Sequence, residues 1–203
     1  APVPDGSNVY GWCAARHLPH HMINACQLGE VESLLTDLAF VTFRTNACGP
    51  VLGTTLHIKD CNEMAKDLMS SNGNDKATVQ EALYKSFKFA SLRVQRIVRK
   101  LGDSCVDEGG DHDDEKVVTN SYRSSDLPLI AAVGESLQLL GVAFGEIQRP
   151  NDEIIHLEEA LRLKMSAQQG KNYNESIADT IHCIGVHYQS QGELNSAMSS
   201  YGP

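Results

Sequence analysis

The sequence predicts an all-α protein whose C-terminal third is built from stacked helix hairpins, and three observations carry that prediction. A pattern built around Leu140-Gly141 and Phe144 recurs around Ile184-Gly185 and Tyr188, forty-four positions later, as repeated helix hairpins do. Leu83, Phe87, Ala90, Val94, Ile97 and Leu101 are spaced by fours and threes, which marks one long amphipathic helix. Turn-forming clusters at Gly49-Pro50 and Ser70-Ser-Asn-Gly-Asn74 divide the remaining apolar segments.

Taken in order, residues 1–8 carry Pro2, Pro4 and Gly6 and read as an extended tail. His17 to Cys26 reads as helix, with Gly29 as the break after it. Glu30 to Phe43 reads as the next helix, on Val31, Leu34, Leu35, Leu38 and Val41. Gly49-Pro50 ends that hairpin, because proline disfavours the helical conformation in the residue before it. Val51 to His57 reads as a short strand or an extended link, and Asp60 to Met69 as helix. The long helix spans Lys76 to Leu101, so 9–101 forms a helical region that ends in it. In segment 102–126 the stretch from Asp103 to Glu115 holds seven acidic residues and no Lys or Arg, and the segment reads as a flexible acidic loop. Helices follow at Leu127 to Ile147, at Asp152 to Gln168 with Asn151 as N-cap, at Glu175 to Ser190, and from Glu193 onward. They make 127–203 a repeat region.

A glycine at the Gly141 position lets two helices approach closely, and the aromatic residue three positions on fills the groove between them. The chain starts at Ala1 and stops at Pro203 inside a second helix, so it reads as a piece of a longer protein. The truncated repeat end leaves an apolar face open to self-association.

At 203 residues the chain can bury a real core. Its net charge of -9 argues against general nucleic-acid binding, which needs an excess of Lys and Arg. Six cysteines without a C-x-x-C pair fit reduced thiols in a cytoplasmic protein better than a zinc site or a disulfide framework. No apolar run of about eighteen residues, the length needed to span a membrane, is expected in the chain.

Few residues suggest chemistry. His17, His20 and His21 lie near Cys13 at the spacing of a helical turn, but Pro19 interrupts them and no metal site is expected. Asp111-His-Asp-Asp-Glu115 lacks the glycine and terminal glutamate of an EF-hand loop. No phosphate-binding loop, dinucleotide fingerprint, nucleophile elbow or H-E-x-x-H zinc motif occurs, and no sequence signal sets a cysteine beside a histidine. The expectation is a protein that is not an enzyme and carries no cofactor. The long helix holds seven Lys or Arg between Lys76 and Lys100 against Glu81 alone. Neutralisation by the acidic loop is its first reading, and binding to an anionic membrane or nucleic acid is the alternative.

From Leu137 to Tyr201 the chain resembles the tetratricopeptide repeat in its kinesin-light-chain-like form. Glu159-Ala-Leu-Arg-Leu163 looks like a second-helix ending, and Gly170 to Ala178 like the linker to the next unit. Glu153 departs from the pattern, standing where the repeat has a small residue. The resemblance implies a right-handed solenoid that binds a partner on its concave face, formed by the first helix of each hairpin. It places Glu135, Gln138, Val142, Gly145 and Glu146 there in the first copy, and Asp179, His182, Val186, Gln189 and Ser190 in the second. Glu135, Glu146 and Asp179 make that face acidic, so the expected ligand is a protein or a basic peptide, with neither nucleic acid nor membrane favoured.

Ala15 to Met22, Leu28 to Asp37 and Cys48-Gly-Pro50 resemble the helical segment that follows the nucleotide-binding module in NB-ARC and NACHT signalling NTPases. That resemblance implies a regulatory connector. The phosphate-binding loop is missing, so ATP hydrolysis does not carry over.

Overall fold

The computed structural model describes residues 9–70, 75–103, 122–168 and 175–200. Among these the protein is helical throughout, without a strand: α1 (Val9–Asn24), α2 (Leu28–Leu35), α3 (Leu38–Cys48), α4 (Pro50–Ser70), α5 (Lys76–Asp103), α6 (Leu127–Glu146), α7 (Pro150–Gln168), α8 (Glu175–Ser190) and α9 (Leu194–Ser200), with a 3-10 turn at Ser124–Asp126 before α6. The extended tail and most of the acidic loop lie outside the described residues, as do most of the linker at Gly170 and the end at Tyr201.

The N-terminal boundaries differ from the sequence expectation, and local chemistry explains each difference. Helix α1 runs through Pro19 and stops before Cys26, whose φ of +56° opens the turn, while Gly29 sits inside α2. The expected helix from Glu30 to Phe43 is two helices. Asp37 caps α3 by accepting from the Ala39 N–H at 2.8 Å, and the Thr36 hydroxyl donates to the Glu32 carbonyl at 2.8 Å. The segment from Val51 to His57, read as strand or link, is the first part of α4. Gly49 takes φ +84°, and Pro50 opens the helix where its missing N–H costs nothing. A Cβ at Gly53 would lie 2.9 Å from the Thr45 Cα, so glycine is what lets α4 close on α3.

Three helix ends share one device. Gln27, Arg149 and Glu193 N–H groups bond the carbonyls of Met22, Phe144 and Tyr188, while the residue before each, Cys26, Gln148 or Gly192, has positive φ. Only the last of these is a glycine, so the first two ends carry no sequence signal. Helix α7 starts at Pro150, which places Asn151 inside its first turn and not at the N-cap.

The helices pack in chain order. Helices α1 to α3 lie against α4; α4 packs on α5 and α6, α5 on α6, α6 on α7, α7 on α8, and α8 on α9. Helix α6 is central, and Ile130, Val133, Leu137, Leu140 and Phe144 are all buried along it. It is long and apolar enough to cross a membrane by length and composition, which overturns the expectation that no such run is present, yet half of its apolar window is buried inside the fold. Gly141 permits the expected close approach: a Cβ there would sit 2.9 Å from the Leu157 side chain. Phe144 meets Phe87 and Tyr84 edge-on at 5.9 and 6.1 Å, which ties α6 to α5.

Candidate partner-binding face

Helices α4 and α6 leave a cleft of about 230 Å³ between them, lined by Thr55, Ile58 and Asn62 on one wall and Gln138, Leu139, Val142, Ala143 and Glu146 on the other. Val142 is exposed on its lip, and Glu146 is exposed one turn further on. On α8, Asp179, His182, Val186, Gln189 and Ser190 are exposed as well. Seven of the ten residues expected on the first-helix face are therefore open to solvent.

Of the other three, Gln138 lines the cleft but also reaches inward, and Glu135 and Gly145 face other helices. Glu135 and Gln138 join the junction of α6, α7 and α8 around the buried Lys164 ammonium. That group donates to Gln138, to Thr180 Oγ1 at 3.0 Å and to the Ser176 carbonyl at 3.3 Å, and pairs with Glu135 at 3.1 Å. Ser176 donates to Glu135, and Thr180 to Gln138 at 2.9 Å. Burial pushes the Lys164 pKa down, against the opposing pull of Glu135. Glu135 is thus a countercharge to Lys164, and the acidity expected of this face rests on Glu146 and Asp179. Gly145 points at α7, where a Cβ would meet the Glu153 carboxylate at 2.7 Å. Glu153, the departure from the repeat pattern, fits because Gly145 makes room for it and His187 Nδ1 on α8 donates to it at 2.9 Å.

A second polar cluster lies between α3, α4 and α5. Arg44 donates to Asp60, both being buried, and to the Arg16 carbonyl at 3.5 Å. His57 Nε2 donates to the Ser86 carbonyl at 3.1 Å and lies 3.6 Å from Cys61 Sγ. Histidine and cysteine are therefore adjacent after all, one turn apart on α4. Burial, then the Arg44 charge, lowers His57 to about 4, and burial raises Cys61 to about 12. Both stay neutral near pH 7, so no thiolate–imidazolium nucleophile forms. Their i, i+4 spacing carried no signal in the sequence, because His57 was expected in a strand or link and only the continuous α4 puts it on one helix with Cys61.

The N-terminal histidines do not converge. His17 and His21 rings are 6.3 Å apart, His20 bonds Glu63 at 3.1 Å, and among the described residues no three metal-binding side chains come together. The five described cysteines are free thiols. No family model, curated protein or solved structure matches the chain.

Proposed function

We propose that this chain is a protein-interaction module of the tetratricopeptide type, with α4–α5, α6–α7 and α8–α9 as successive hairpins and a partner peptide held along α4, α6 and α8. The supporting observation is the α4–α6 cleft, with Val142 on its lip and Glu146 beside it, continued on α8 by Val186 and Asp179. Exposed apolar side chains flanked by carboxylates suit an extended peptide carrying apolar and basic residues.

The test is selection from a random peptide display library, followed by binding measurements on purified peptides. Enrichment of basic-apolar peptides is expected, with binding weakened at least about ten-fold by Val142→Lys and by the pair Glu146→Lys, Asp179→Lys. Selected peptides indifferent to all three changes would remove the groove assignment.

A further inference from the structure

The sequence presents α5 as uniformly basic, but packing sorts its charges. Lys88 pairs with Asp152 of α7 at 2.5 Å and lies over the Tyr84 and Phe144 rings, and Arg93 donates to Asn46 of α3. Lys85, Leu92, Arg96 and Arg99 remain exposed, with Phe89 half-buried among them. Positions 85, 89, 92, 96 and 99 form one stripe at helical spacing, about 21 Å long at 1.5 Å per residue. Glu81, the acid just before the stripe, is paired with Arg149 at 3.4 Å, and Glu158 and Glu159 of α7 face Arg99 across a groove.

Leu92 is 46% exposed in the middle of these cations. Phe43 of α3, 38% exposed, lies one turn before Asn46, the residue that holds Arg93 beside Leu92. We propose that this stripe docks the protein onto an anionic phospholipid surface, Lys85, Arg96 and Arg99 meeting headgroup phosphates while Leu92 and Phe43 enter the interfacial layer. The interleaved apolar residues select a bilayer over a nucleic acid, because a phosphodiester backbone has nothing to offer an exposed leucine and phenylalanine. A chain of net charge -9 also has no general attraction for polyanions, so attachment must be local to this face.

The experiment is flotation of the whole chain with phosphatidylcholine vesicles containing roughly a third phosphatidylserine, beside pure phosphatidylcholine vesicles and a DNA duplex of about 30 base pairs. Binding to the anionic vesicles alone is expected. Arg96→Gln with Arg99→Gln should weaken it roughly 25-fold, about five-fold per cation, and Leu92→Ser about five-fold, with unchanged far-UV circular dichroism. The stripe lies on the outside of α5, so these variants keep the core. Equal binding to neutral vesicles, anionic binding indifferent to the double variant, or a duplex bound as tightly as the vesicles would each overturn the proposal.

Discussion

His57 should make this protein acid-sensitive well above the range where carboxylates titrate. The ring is fully enclosed between α4 and α5, its Nε2–H bonded to the Ser86 carbonyl and its Nδ1 without a partner, with the Arg44 guanidinium close by. A proton added at Nδ1 would put a second cation beside Arg44 with no carboxylate to receive it, since Asp60 is already engaged. The folded pKa is therefore depressed, from 6.5 to about 4. A depressed pKa means the stabilisation is complete above the unfolded value and is lost as pH falls toward the folded one. Linkage puts the loss at about 2 kcal/mol between pH 7 and pH 5, and about 3 kcal/mol by pH 4. The measurement is urea unfolding at several pH values for the native chain and for His57→Gln, whose amide can still donate to Ser86. His156 is depressed too, mainly by burial, but it is common to both proteins and cancels in the comparison. The variant should be less stable at pH 7 by about 1 kcal/mol yet lose correspondingly less on acidification. Parallel curves for the two proteins would refute the reasoning.

Gln148→Gly should stabilise the protein by about 0.5–1 kcal/mol, because Gln148 holds φ +61° at the end of α6, where a side chain is strained and glycine is not; a lower melting temperature would count against it. Lys164→Met should cost about 2 kcal/mol and speed amide exchange in α8, since it removes the ammonium that Ser176 and Thr180 share with α6. Exchange that rises equally in α1 and α8 would show a general loss and not a local one.

How far the sequence could be read follows from the kind of information each element needs. Helix α5 was legible because its apolar stripe is uninterrupted and its start follows the turn-forming sequence Ser-Ser-Asn-Gly-Asn, and α8 because its pattern repeats that of α6. The start of α4 was not, because Val51, Thr54 and Thr55 favour extended structure locally, while the Pro50 start and the fit of Gly53 against Thr45 favour the helix. The split between α2 and α3 was missed because Asp37 caps a new helix without disturbing the apolar spacing. On the candidate face, the repeat resemblance grouped Glu135, Gln138, Val142, Gly145 and Glu146, whereas the structure turns Glu135 toward Lys164 and Gly145 toward Glu153. The resemblance could not tell which neighbour takes each of them, because that depends on Lys164, 26 positions from Gln138, and Thr180, 42 positions from it.

The two buried polar clusters and the open face divide the work of the molecule. Arg44 with Asp60, and Lys164 with Glu135, each bring charges from different helices together where a shift of one residue in register would strand a buried cation. Breaking such a pair costs about 3–5 kcal/mol when neither partner can reach water. The full figure applies to Arg44 and Asp60; Glu135 is partly exposed, so its pair with Lys164 is discounted. These clusters therefore select one arrangement of α3 against α4 and of α6 against α7 and α8. The Arg44–Asp60 cluster is buried, whereas Glu135, Lys164 and Ser176 also line a surface cavity of about 330 Å³. On the two proposals above, recognition falls to what that arrangement exposes: Val142 and Glu146 on α6, Asp179 and Val186 on α8, and the Leu92 stripe on α5. If Lys164 sets the relative position of α6 and α8, Lys164→Met should weaken peptides that span Val142 and Val186 while sparing vesicle binding through α5. Equal loss in both assays would mean that Lys164 supports only global stability.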